Sequence, residues 1–94
     1  MPSDFDFSQC YRINPTLVEQ EVDGDRVVLN PANGKIVTFE QLTAVIWEIM
    51  QSQTTFQEIL GLIRESFSVE EDQLKSDLVD FWNSLIRDQF IKID

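Results

Sequence analysis

The sequence predicts an α+β domain, winged-helix-like, in which a three-stranded antiparallel sheet is followed by three helices. Three observations predict it. Short β-rich segments are joined by tight turns, and this forces antiparallel pairing because parallel strands need a long crossover. Three hydroxyl-x-x-Glu/Gln spacings stand before runs of helical periodicity. The strands come first and the helices after, a segregation that places the helices on one face of the sheet.

Residues 1–15 are polar, with Phe5, Phe7 and Tyr11 interspersed, and close on Asn14-Pro15. They read as an irregular N-terminal tail that packs through its aromatics, which leaves 16–94 as the folded domain. Thr16 to Val22 reads as the first strand. Asp23-Gly24-Asp25 is a tight turn, because Gly tolerates positive φ and Asp bonds to its neighbouring backbone. Arg26 to Asn30, rich in β-branched residues, is the second strand. Pro31 fixes φ in the next turn and Gly34 supplies its permissive position. Lys35 to Phe39 is the third strand.

The first helix opens on Thr38-Phe39-Glu40-Gln41 as a capping box. It repeats Leu42, Val45, Ile46, Ile49 and Met50 at helical spacing. The second opens on Thr55 with Glu58 and brings Phe56, Ile59, Leu62 and Ile63. The third opens on Ser68 with Glu71 and brings Leu74, Leu78, Phe81 and Leu85. The closing Phe90-Ile91-Lys92-Ile93-Asp94 is open to two readings, a small strand or a cover over the core.

At 94 residues the chain holds one domain at most. Its 43% hydrophobic and 11% aromatic content fits a folded chain. The formal net charge is −10. Nucleic-acid affinity comes mainly from Lys and Arg displacing counterions, so no nucleic-acid partner is expected. Anionic membrane surfaces are disfavoured for the same reason. A partner with a basic surface is favoured. Cys10 is the sole cysteine, so there is no disulfide framework. The N-terminus has no basic segment followed by an apolar run. No stretch reaches the roughly 20 apolar residues of a spanning helix. A cytoplasmic location is expected.

Catalysis has little to work with. Activating a Ser, Thr or Cys nucleophile needs a base beside it, and the chain has no His. Asp4 and Asp6 near Cys10 oppose a thiolate. Glu70, Glu71 and Asp72 fall in a first helical turn, where negative charge suits the dipole. Asp23-Gly24-Asp25 is too short for a calcium loop. No catalytic residue, metal site or cofactor is expected, and the protein is not expected to be an enzyme.

Binding has more to draw on. On the third helix, Val79, Trp82 and Ile86 form a second apolar line beside the first. Together the two lines span roughly 160°, against about 100° for an ordinary surface helix. Packing accounts for Val79 and Ile86. Trp82 is the candidate to wall a groove, since aromatics anchor binding sites. Asp77 borders the apolar arc, whereas Asp80 and Asp88 lie on the outer face. The third strand would lie at a sheet edge, with unpaired N–H and C=O groups open to an extended peptide. Equally, that edge could be covered by the tail or blunted by Lys35. The alternative function is a winged-helix DNA-binding regulator. Residues 70–90 offer it only Lys75 and Arg87 against Glu70, Glu71, Asp72, Asp77, Asp80 and Asp88.

The run Val28-Leu29-Asn30-Pro31-Ala32-Asn33-Gly34, then Phe39-Glu40, then Ala44-Val45-Ile46-Trp47-Glu48, resembles the PqqD-like family. These are the recognition elements of ribosomally made, modified peptides (RiPP recognition elements). A helix opened by Thr55, a Glu-Ser-Phe-Ser-Val stretch at 65–69 and an Asp-Leu-x-x-Phe-x-x-x-Leu pattern from Asp77 agree with it. The resemblance spans about residues 16–91. It implies three antiparallel strands and three helices. It also implies that the leader segment of a precursor peptide is bound as an added strand, between the third strand and the third helix. The leader would then be delivered to a modifying enzyme, such as a radical-SAM protein or a leader peptidase. Carried over by position, the peptide-binding residues would be Lys35, Ile36, Val37, Thr38 and Phe39 on the strand. On the helix they would be Leu74, Asp77, Leu78, Phe81 and Trp82. The family often has Leu-Asn where this chain has Phe39-Glu40, and a Gly where it has Thr43. The product class (quinone cofactor, lasso peptide or thioether-bridged peptide) is not implied.

Overall fold

The computed structural model describes residues 5–52, 55–66 and 70–93. Its elements are β1 (Tyr11–Ile13), β2 (Val18–Val22), β3 (Asp25–Asn30), β4 (Lys35–Phe39), α1 (Gln41–Met50), α2 (Phe56–Ser66), α3 (Glu71–Arg87) and β5 (Ile91–Ile93). The expected sheet is present, antiparallel in the order β2-β3-β4, and the expected third strand is β4. Asp23 and Gly24 both take positive φ, 53° and 88°. That is the mark of a type I′ turn, whose twist suits a two-residue hairpin.

The tail is more regular than its polar composition suggested. β1 pairs with β5 in a separate antiparallel ribbon, with Tyr11 opposite Ile93 and Ile13 opposite Ile91. Tyr11 and Ile91 are buried in the core, and the Tyr11 hydroxyl donates to the Met50 carbonyl at 2.7 Å. One buried aromatic with a partnered hydroxyl therefore fixes the register of a three-residue strand. The closing segment, open to two readings in the sequence, is the other half of this ribbon.

α1 does not use the expected cap. Its N-cap is Glu40, in extended conformation. The Glu40 N–H donates to Thr43 Oγ1 at 2.9 Å. Phe39 is drawn into the core at 1% exposure, so Thr38 stays in the strand and cannot cap. Glu40 and Thr43, two of the three positions at which the chain departs from the family pattern, are thus bonded to each other. The second box forms as expected. The Thr55 N–H donates to Glu58 Oε1 at 3.0 Å, and the Glu58 N–H donates to Thr55 Oγ1 at 3.3 Å. Ser68, expected to cap α3, lies outside the described residues; the N-cap there is Glu70. α3 ends with Gln89 at φ 64°. The Phe90 N–H bonds to the Leu85 carbonyl and the Gln89 N–H to the Ile86 carbonyl, a Schellman closure.

The core joins the inner sheet face to all three helices and includes Val28, Phe39, Trp47, Phe56, Ile59, Leu78 and Trp82. Leu42, Val45 and Leu62 have helical spacing but are 39%, 42% and 37% exposed. The buried face of α1 is centred between Ile46 and Trp47, and at 3.6 residues per turn Val45 falls on the far side. Trp47, absent from the periodic stripe, is fully buried. Its indole N–H donates to Glu19 Oε1 at 3.1 Å, and Arg26 bridges Glu19 and Glu48 at 3.3 and 3.1 Å. These bonds pin α1 to β2 and β3.

Candidate functional site

Register decides which backbone groups of β4 are free. The two-residue hairpin closes on a hydrogen-bonded pair, Val22 with Asp25, and such pairs alternate along a ladder. Asp25, Val27 and Leu29 therefore direct their backbone groups to β2. Arg26, Val28 and Asn30 direct theirs to β4, where they face Phe39, Val37 and Lys35. It follows that Ile36 and Thr38 point their N–H and C=O groups away from the sheet. Among the described residues, β4 pairs with no strand other than β3.

The described part of the tail does not pair with this edge. Its described part crosses α2, with the Phe56 N–H donating to the Gln9 carbonyl and the Gln57 N–H to the Phe7 carbonyl, at 3.4 and 2.8 Å. β2 offers the sheet's other edge, but Glu19 and Glu21 lie along it, and acidic side chains discourage strand pairing. The β4 edge instead has an aromatic neighbour. Phe81 of α3 is half-buried and meets Phe39 with ring centroids 5.6 Å apart, edge to face.

An Asn ties the C-terminal end of α3 to the sheet. Asn30 is fully buried. Its Nδ2 donates to the Asp88 and Gln89 carbonyls at 3.2 and 3.0 Å, and its Oδ1 accepts from the Ala32 N–H at 3.1 Å. Asn33 Nδ2 adds a bond to the Asp88 carbonyl at 2.9 Å, and Asn14 Nδ2 one to the Gln89 carbonyl at 3.1 Å. The β3–β4 turn is thereby fastened to the C-terminus of α3. The sequence signal for this role was slight: Asn30 is a polar residue two places along the strand from the buried Val28.

The proposed binding residues divide. Lys35, Ile36, Thr38 and Asp77 are exposed, and Val37 and Phe81 are half-buried. Phe39, Leu74 and Leu78 are core residues. Trp82, the expected groove wall, is fully buried on another side of α3. Phe56, Phe5 and Phe7 surround it at 4.7, 5.5 and 5.7 Å between centroids. Its indole N–H has no hydrogen-bond partner among the described residues. The tail aromatics Phe5 and Phe7 thus take up Trp82 of the second apolar line, which leaves Phe81 as the aromatic beside the edge.

Two acids of α3, Asp77 and Glu71, are held by neighbours. Gln73 Nε2 donates to Asp77 Oδ1 at 2.9 Å. Glu71 meets Arg64 at 2.7 Å and Lys75 at 3.2 Å. Hydrogen bonds from Arg64 and then Lys75 hold its carboxyl below the usual range. Burial first, and the charge of Glu58 second, raise the Tyr11 phenol above its ordinary value. Among the described residues, no group of three acidic or thiol side chains could hold a metal. None of the described helices is long and apolar enough to cross a membrane.

An unpaired strand edge beside an aromatic helix face is the geometry that strand addition uses. A family model described as Coenzyme PQQ synthesis protein D (PqqD) matches residues 25–91, and the chain belongs to that family. Among solved structures it is similar to TbiB1, described in complex with the TbiA(beta) leader peptide. The TM-score is 0.76 at 22% identity, over 85% of this chain and 93% of that one. At that identity the likeness is one of fold. A search of curated proteins gave no match.

Proposed function

We propose that the protein binds the leader segment of a ribosomally synthesised precursor peptide as a strand added to β4. It then presents the precursor to the enzyme that modifies or processes it. The observation that carries this reading is the outward-facing backbone of Ile36 and Thr38 beside Phe81. Those groups can bond to any extended peptide, and the side chains flanking the edge select its residues. Membership of the PqqD family and the fold shared with TbiB1, whose structure holds a leader peptide, support the same reading.

Within this reading the contact residues are Lys35, Ile36, Val37, Thr38, Asp77 and Phe81. Phe39, Leu74 and Leu78 back the groove. The partner enzyme is a radical-SAM protein or a leader peptidase acting in the cytoplasm, and the protein itself contributes binding and no chemistry. The DNA-binding alternative gains no support from an α3 whose exposed face is acidic.

Calorimetric titration with synthetic leader peptides, taken from precursors encoded beside this protein's gene, tests the proposal. Saturable one-to-one binding is expected. Absence of binding to every such leader would sink it.

A further inference from the structure

Strand addition at β4 has a second consequence, on the face of the sheet away from the helices. Val28, Asn30 and Phe39 are buried on the inner face, so alternate residues of the three strands point outward. The register sets those outward residues in rows. One row is Val18, Leu29 and Ile36, and the next is Gln20, Val27 and Thr38. No described helix packs on this side. Val18 is 55% exposed, and Ile36, at the open end of the row beside the unpaired edge, is 65% exposed.

We infer that the side chain of Ile36 is a specificity determinant for the leader, and that the leader places an aliphatic or aromatic residue against it. This rests on the strand-addition reading. A strand added at about 4.8 Å from β4 must set one side chain directly beside Ile36 on the outer face. Directly opposed side chains interact, and a β-branched residue favours an apolar or aromatic neighbour. Two leader residues along, the opposed side chain meets Thr38 and the more polar row. There a hydroxyl or other polar residue is favoured. The intervening leader residue faces inward, beside Val37 and Phe81. The leader is therefore apolar at two adjacent positions, one read by the outer face and one by the groove. A peptide read by the groove alone would need only every second residue apolar.

The leader is favoured over a second copy of the chain because it continues a sheet whose edge the proposed function already uses. Self-association through the same row is a distinct outcome of the test.

The experiment titrates wild-type protein, Ile36→Thr and Val18→Thr with a synthetic leader and with its single-Ser variants across the strand segment. Thr keeps the β-branched backbone preference, and Ile36 is exposed, so the fold is retained; circular dichroism checks this. In wild type, Ser at the position opposite Ile36 should weaken binding about two- to fivefold. In Ile36→Thr that penalty should vanish, while the penalty at the adjacent inward position remains. Val18→Thr, two strands from the edge, should behave as wild type. Equal penalties in wild type and Ile36→Thr overturn the inference and leave strand addition standing. No binding of any leader by wild type overturns both. A sedimentation coefficient that falls in Ile36→Thr would assign the row to self-association and also overturn it.

Discussion

Phe39 at the end of β4 and Phe81 on α3 meet edge to face, with centroids 5.6 Å apart and planes at 76°. Phe39 is buried and Phe81 half-buried, so the pair spans the boundary between core and surface. This contact joins the strand and the helix that the proposed site needs, although more than forty residues separate the two side chains in sequence.

Phe81→Ala should therefore act mainly on binding. A loss of about 1–2 kcal/mol in leader affinity is expected by calorimetry, as for an aromatic anchor. Trp82→Ala should act on folding instead. Removing a fully buried indole costs about 3–5 kcal/mol, to be read from chemical denaturation. A Trp82→Ala protein of unchanged stability that failed to bind leader would return Trp82 to the groove.

Proline scanning along β4 separates edge from ladder. Proline lacks the N–H and is tolerated at strand edges. The Thr38 N–H points outward, so Thr38→Pro should keep the fold and lower leader affinity about tenfold or more, the equivalent of about 1.4 kcal/mol. The Val37 N–H faces β3, so Val37→Pro should destabilise the protein by about 1–3 kcal/mol through the lost ladder bond. Denaturation midpoints beside binding curves check both. The reverse pattern would mean that the register is shifted by one residue.

Asn30 ties the β3–β4 turn to the C-terminal end of α3. Asn30→Ala removes donors to the Asp88 and Gln89 carbonyls and an acceptor from the Ala32 N–H. Leaving such buried groups unpaired costs about 1–3 kcal/mol. Leader affinity should fall as well, because α3 loses its tie to the β3–β4 turn. Asn33→Ala, at an exposed position, should cost less on both measures.

Tyr11 gives the domain an alkaline limit. Its folded phenol is raised above the ordinary value of 10.0, so the folded state holds the proton more tightly than the unfolded state. The associated stability is present in full below about pH 10 and is lost as the pH rises toward the folded value. Thermal melts of wild type should therefore fall steeply above about pH 10. Tyr11→Phe should cost about 1 kcal/mol at neutral pH, through the lost bond to Met50, and should flatten the alkaline fall. An unchanged alkaline slope in Tyr11→Phe would assign the fall to other groups.

The sequence by itself determined the α+β class, the antiparallel meander and the three helices. Turn chemistry at Asp23-Gly24 and Gly34, and apolar periodicity in the helices, are local signals that a short window contains. It also determined the acidic charge, the absence of His and the residues that mark the PqqD family. Only the tertiary structure decided where the apolar surplus went. Periodicity places Trp82 and Phe81 on one broad arc. Whether each meets a peptide, the sheet or the tail depends on what packs beside α3, and the Phe5-Phe7 segment claimed Trp82. The cap of α1 moved from Thr38 to Glu40 for a similar reason: burial of Phe39 extends the strand past its local stop signal. The free edge is narrower than the strand, comprising the backbone of Ile36 and Thr38. Which residues face outward is fixed by pairing across two hairpins, a long-range property that no single segment encodes.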